Sequence, residues 1–303
     1  MVKVTLYLNK SVDENAAIYF EDGKKAKRKV KGVKQTIESF EKKKDLVVPS
    51  SDFKSSIKKI DNSKKQWFDK FKWFISSDGH LVIAGRDATT NEIVIKKHTE
   101  ANDLVFHTDM AGSPFVVIKS NFDDVNRILG DDFNPLWKPS ELDIPSIDAK
   151  NLSFSKSTIF EAASFAAIHS RAWKSGLGSA DVFFVNPDQV SKEANSGEFM
   201  SKGSFMIRGD TNYVEPSMDF AIGLALPESK PFVLAGPLNA VKAHCKVFVQ
   251  IEQGTDKASA VAKTVAHVFK EDLSIVVELD DIIKNLPSGG CQIKKDRNRR
   301  RKK

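Results

Sequence analysis

Two hydrophobic rhythms run through this 303-residue chain, and they demand different kinds of structure. Apolar or small residues stand at Val12, Ala16, Tyr19, Gly23, Ala26, Val30, Val33, Ile37 and Phe40, a heptad seam of alternating four- and three-residue steps. Ser11 and Glu14 read as a capping box at its start, each side chain accepting an otherwise unpaired backbone N–H. The segment LVVPSSD interrupts the pattern. Pro49 ends a helix and Asp52 can cap the next. The same rhythm resumes through Phe53, Ile57, Ile60, Lys64, Trp67, Phe71 and Phe74. Two seams joined by a short turn predict an antiparallel coiled-coil hairpin over 11–75, preceded by a strand over 1–10.

From Trp73 onward the period shortens to that of strands. Apolar runs at 73–77, 80–85, 103–107, 115–119, 181–185, 204–208, 220–226, 232–236 and 246–251 alternate with turn signals, and Asp78-Gly79 marks a hairpin. Helices are expected near 91–98, at 157–174, at 256–270 and at 279–285. No regular strand–helix–strand beat is present. The pattern predicts an α+β fold: a mixed, largely antiparallel sheet body over 73–235 with the helical hairpin protruding from it, and a small α/β C-terminal subdomain over 236–293.

Charge is segregated along the chain. Residues 1–72 hold 19 Lys and Arg against 10 Asp and Glu, and the tail 294–303 holds 8 against 1, while 73–293 is acidic. A negative body with a positive arm and a positive tail suits a polyanion, because each phosphate contact releases condensed counterions. Cys245 and Cys291 are far apart and lack metal-ligand spacing, and no apolar run reaches the roughly 20 residues of a membrane span. The expectation is a reducing, cytoplasmic setting with no structural zinc.

Enzyme signals are weak. Ser153 and Lys156 form an S-x-x-K pair, but the S-D-N and K-T-G companions and the G-x-S-x-G elbow are missing. His107 and Asp109 share one face of a strand and could supply half a metal site, yet the other histidines are scattered singly. The stretch GRDATTNE lacks phosphate-loop spacing, and Lys202–Ile207 lacks the spaced aromatics of an RNA-recognition core. No catalytic residue, metal or cofactor is expected. A hydrolase or metal enzyme at these pairs is the weakest of three alternatives, a protein-interaction adaptor using the coiled coil being the second.

Several long stretches carry a resemblance: WFDKFKWFISSDGHLVIAGRDATTNEIVIKKH, DLVFHTDMAGSPFVVIK, EAASFAAIHSRAWKSG and NPDQVSKEANSGEFMSKGSFMIRG. Together they resemble the NFACT-R domain of the ribosome-quality-control tailing factors, which include eukaryotic NEMF, bacterial RqcH and the fibronectin-binding-protein-A-like proteins. ENAAIYFEDGKKAKRKVKG resembles the start of the family's coiled-coil arm. GPLNAVKAHCKVFVQI and LPSGG are similar to the extension of its archaeal branch. Full-length members carry an NFACT-N domain and a helix–hairpin–helix module before the coil, and tail synthesis depends on an Asp-Arg pair in NFACT-N. This sequence starts just before the coil, so both modules are expected to be missing, and a separate NFACT-N-bearing chain becomes a candidate partner. The resemblance implies a non-catalytic RNA-binding component of ribosome-associated quality control, with large-subunit rRNA and tRNA as partners. At the matching positions, Arg86, Lys96, Lys119, Arg171, Lys192 and Arg208 are candidates for phosphate or ribose. Asn91 and His107 are candidates for 2′-hydroxyls or base edges, and Arg299, Arg300 and Arg301 carry the tail's charge. Deleting 294–303 is expected to lower RNA affinity and flatten its salt dependence. For single-stranded RNA the log–log slope falls by about 0.7 for each phosphate that the tail no longer neutralises; an RNA titration between about 50 and 200 mM salt reads this directly.

Overall fold

The structure, a computed structural model, describes residues 11–16, 19–20, 23–24, 58–59, 66–130, 134–140, 144, 147, 153–193, 200–228 and 230–294. The chain divides into two units, 1–56 and 57–303. In the first, backbone at 12–16, 19–20 and 23–24 is helical (α1). The predicted capping box is formed: Ser11 N donates to Glu14 Oε2 at 2.7 Å and Glu14 N to Ser11 Oγ at 3.2 Å. The seam positions Val12, Ala16 and Tyr19 are exposed. The leading strand, the rest of the first arm, the connecting turn and most of the second arm lie outside the described residues.

Where the second arm is described, it is not α-helical. Lys58–Lys59 (β1) is a short strand. Trp67–Lys70 is a single 3-10 turn, and Lys72–Ile75 (β2) is a strand. Phe71 and Phe74 fit the heptad count, but they serve opposite faces of a sheet and are both fully buried. A helix through these residues would forfeit the ladder that β2 makes with Leu81–Ala84 (β3) and leave that side of β3 without its backbone partner.

The second unit is built on an antiparallel sheet of six strands. Besides β2 and β3, its members are Leu104–Thr108 (β4), Val116–Ile118 (β5), Val182–Val185 (β6) and Asn212–Val214 (β9). Their order across the sheet is β2-β3-β5-β4-β6-β9. The β2–β3 hairpin turns as expected at Asp78-Gly79, with Gly79 at φ +88° and Ser76 N bonded to His80 O at 2.8 Å. Val190–Ser191 (β7) and Met206–Ile207 (β8) form a separate two-stranded ribbon.

A second antiparallel sheet is made of Phe220–Ala225 (β10), Phe232–Pro237 (β11), Val247–Asp256 (β12) and Cys291–Ile293 (β14), in the order β11-β10-β12-β14. The boundary expected at 236 therefore falls inside β11. The C-terminal sheet begins at Phe220, because β10 is its central strand and needs partners from both sides of that position. Ile275–Val276 (β13) pairs in parallel with β1.

Helices fill the space between and around the sheets. Ala88–His98 (α2) and Asp123–Leu129 (α3) cover one face of the larger sheet, contributing Val94 and Val125 to a core with Ile75, Leu81, Ile83, Val105, Val117, Phe183 and Val185. Lys156–Ile168 (α4) covers the opposite face, with Phe74, Val82, Phe106, Val116 and Phe184 beneath it and Ala221, Ala225 and Leu234 of the second sheet beyond. Leu238–His244 (α6) joins this layer. Ala258–Leu273 (α7) and Leu279–Ile283 (α8) cover the outer face of the second sheet over Phe220, Ile222 and Leu224. The helix expected at 157–174 is broken at His169-Ser170: Ser170 Oγ accepts from Ala172 N at 3.0 Å and caps a new turn, Arg171–Lys174 (α5).

α4 works as a middle layer because its sequence is small. Thr158 to Ile168 are all buried, and Ala162, Ala163, Ala166 and Ala167 let backbone approach backbone on both sides. Glu161 sits within this layer. Ser77 N donates to its Oε2 at 2.9 Å, and Oε1 has no partner among the described residues. Burial pushes its carboxyl up to about 8. The folded chain thus holds a proton that the unfolded chain releases above its ordinary value of 4.5, so this group costs stability progressively as pH rises from 4.5 to about 8. Glu161→Gln is expected to raise the unfolding free energy at pH 8 by up to about 4 kcal/mol and to change little at pH 4.5; chemical denaturation at the two pH values compares them.

Candidate nucleic-acid interface

The ribbon β7–β8 and the segment 200–204 that leads into β8 are fastened to the N-terminal half of α2 by one carboxylate. Asp87 caps that helix, accepting from Thr90 N at 2.8 Å. One turn in, Glu92 accepts from Lys192 Nζ at 2.8 Å, from Gly203 N at 3.1 Å and from Lys96 Nζ at 3.4 Å. The Lys192 ammonium and the Gly203 amide hold its carboxyl down at about 2. Lys192 also donates to the carbonyls of Ser201 and Ser204 at 3.1 and 2.9 Å and lies over the Phe205 ring. Gly203, at φ +81°, is 2.6 Å from Ala88 Cα at the point where a Cβ would stand, so only glycine allows so close an approach.

From Phe205 a row of rings crosses the sheet. Phe115 lies 5.2 Å from Phe205, His107 lies 4.3 Å from Phe115, Phe183 lies 6.1 Å from His107, and Tyr213 lies 6.0 Å from Phe183. His107, Phe183 and Tyr213 are register partners on three adjacent strands. Burial pushes the His107 imidazole down, leaving a neutral ring at pH 7. Tyr213, at the open end, is 55% exposed, and its hydroxyl donates to Asp109 Oδ2 at 3.2 Å. The adjoining β4–β5 loop turns at Gly112, φ +82°, against the exposed guanidinium of Arg171.

The sequence-expected residues therefore separate into three groups. Arg171, Arg208, Lys96 and Arg86 are exposed. Arg86 uses one edge of its guanidinium on the carbonyl of Phe71 at 2.8 Å, and Arg208 stands 3.9 Å from Glu193 with both side chains open to solvent. Lys192 and His107 are half-buried and hold the ribbon and the aromatic row. Asn91 and Lys119 are a correction to the sequence reading, because both side chains face inward. Asn91 Oδ1 accepts from Phe115 N at 3.1 Å, pressed against Gly85, where a Cβ would come within 1.9 Å of that oxygen. Lys119 joins the His98 carbonyl, at 3.0 Å, to the buried carboxylate of Asp103. A cation enclosed in this way has no donor left for a phosphate. Arg299, Arg300 and Arg301 lie outside the described residues.

Sequence reading passed over Tyr213, whose signal was only the alternation of a three-residue strand. It also passed over Lys70 and Lys97, which together with Lys119 add to burial in lowering the His98 imidazole. Of the enzyme alternatives, Ser153 and Lys156 are exposed at the start of α4, and Asp109 is engaged by Tyr213.

Residues 70–209, which hold the ribbon, the aromatic row as far as Phe183 and the exposed cations, match the family described as NFACT protein RNA binding domain. The chain is thus an NFACT-R-containing protein of the RqcH type. It is 33% identical over 240 residues to the archaeal Rqc2 homolog aRqcH of Methanocaldococcus jannaschii, covering 79% of this chain and 31% of that one. It is 33% identical over 222 residues to the human ribosome quality control complex subunit NEMF, covering 71% of this chain and 18% of that one. The chain therefore spans about a third of the length of the first relative and about a fifth of the second. Among solved structures, the C-terminal part of the fibronectin/fibrinogen-binding protein of Streptococcus suis aligns with a TM-score of 0.33 and 19% identity, covering 69% of this chain and 78% of that one.

Glu92→Gln is expected to loosen the ribbon without unfolding the sheets. Hydrogen exchange would show the Gly203 amide losing protection several-fold while amides of β4 and β5 keep theirs.

Proposed function

We propose that this chain is a non-catalytic RNA-binding component of ribosome-associated quality control, engaging large-subunit rRNA and tRNA on stalled nascent-chain complexes. The match of residues 70–209 to an RNA-binding family carries this reading. The charge map supports it independently, since the acidic 73–293 body makes local cations more selective than a uniformly basic surface. Arg171, Arg208, Lys96 and Arg86 contact phosphate or ribose from exposed positions. Tyr213 offers a ring face for an unstacked base, His107 and Lys192 shape the surface from below, and the tail with Arg299, Arg300 and Arg301 adds unspecific attraction.

Exposure of Val12 at 85% and Phe20 at 73% favours a second reading, in which the N-terminal arm serves as a protein-interaction adaptor. RNA titration separates the two. Arg171→Ala with Arg208→Ala is expected to weaken single-stranded RNA binding about tenfold at low salt and to reduce the log–log salt slope by about 1.4. Lys119→Met, which strands the buried Asp103 carboxylate, is expected to lower stability by about 3–5 kcal/mol with the slope unchanged. RNA affinity that ignored both arginines would leave the adaptor reading standing.

A further inference from the structure

A cleft of about 870 Å³ opens between the start of α6, the 215–219 loop, β12 and the outer edge of α4. This is within the roughly 300–1,000 Å³ typical of ligand-binding clefts. Its apolar lining comes from Phe160, Met218, Pro216, Leu238 and Trp137. Its charges are lopsided: Glu215, Asp219 and Glu252 line it against the single cation Lys242, which lies over the Trp137 ring. Glu215 is exposed and has no hydrogen bond or ion pair among the described residues. Asp219 accepts from Ser217 Oγ at 3.0 Å and already attracts one lysine, Lys294, whose Nζ stands 3.2 Å away with both side chains open to solvent. Asn239 supplies a side-chain amide at the wall, and Gln253, whose Nε2 donates to the Leu177 carbonyl at 2.8 Å, presents its amide oxygen.

Three carboxylates repel phosphate, so this face is unsuited to the RNA chemistry proposed for residues 70–209. An apolar floor with acidic edges and amide groups for backbone pairing fits an extended peptide whose cations flank an apolar side chain. We propose that this cleft docks a lysine- and arginine-rich peptide segment of a partner protein, its apolar side chain seated on Phe160, Met218 and Leu238 and its cations paired with Glu215 and Asp219. The RNA surface and the peptide cleft are then separate sites of opposite charge on one body.

The test is anisotropy of a labelled peptide of alternating Arg and Leu against the full chain, with a separate titration of a single-stranded RNA. Glu215→Gln with Asp219→Asn is expected to weaken the peptide about tenfold, two exposed ion pairs at roughly 0.7 kcal/mol each, and to leave RNA affinity unchanged. Gly178, which lines the cleft with nothing within 4 Å of its Cβ position, allows a second variant. Gly178→Trp is expected to block the peptide by filling the cleft and again to spare RNA. The proposal is overturned if both variants bind the peptide as the parent does, or if RNA binding changes instead. It is overturned too if truncation after Lys294 raises peptide affinity, because the occupant would then be this chain's own terminus. Loss of RNA binding by the parent chain would count against the RNA reading alone.

Discussion

Neither sheet of this protein can stand without the helix between them. The six-stranded sheet alternates apolar side chains to both faces, and β10 and β11 of the smaller sheet turn Ala221, Ala225 and Leu234 toward the same interior. α4 fills that space, and it can do so because Ala162, Ala163, Ser164, Ala166 and Ala167 keep its second half slim around the one large ring of Phe165. Phe165 packs 4.7 Å from Phe74, and Ile159, Ala162, Ala163 and Ala166 are fully shielded. Each large apolar side chain buried there contributes about 1.5–3 kcal/mol. That gain offsets a polar seam the layer also carries, in which Ser76, Asp78, Ser155 and Thr158 bond one another beside the protonated Glu161.

With both sheet faces covered, function is pushed to loops and edges. The two candidate surfaces have opposite character. One is the ribbon, the aromatic row and the Gly112 loop, where Arg171, Arg208 and Lys96 remain open. The other is the cleft beside α6, where carboxylates outnumber cations three to one. Rigidity at the first comes from Glu92, which gathers two lysines and a backbone amide onto a capped helix. A ribbon of two-residue strands has too little ladder of its own to hold position.

Much of this architecture was legible from period alone. Eight of the nine apolar runs expected as strands are strands with only their ends moved, the exception being 204–208, which shrinks to the two residues of β8. Asp78-Gly79 turns where glycine was needed. The heptad count failed at Phe71 and Phe74, because a four–three spacing is also satisfied by a 3-10 turn running into a strand. The short helices α3 and α6 went unread, since seven residues allow fewer than two full turns of periodic signal. A break at 236 was inferred from composition, yet β10 pairs across it.

What the sequence determined by itself was the class of fold, the antiparallel strands, the capping of α1 and the segregation of charge, because each depends on neighbours within a few residues or on simple counting. What only the tertiary structure decided was the fate of individual polar groups. Lys119 and Arg171 are equally basic in the sequence, but one is enclosed with Asp103 and the other lies open beside Gly112. Tyr213 and Phe183 differ by one oxygen, and only the edge position of β9 leaves the tyrosine ring in solvent. Solvation and charge pairing depend on residues distant along the chain, so they are settled only when the sheets and helices have closed around them.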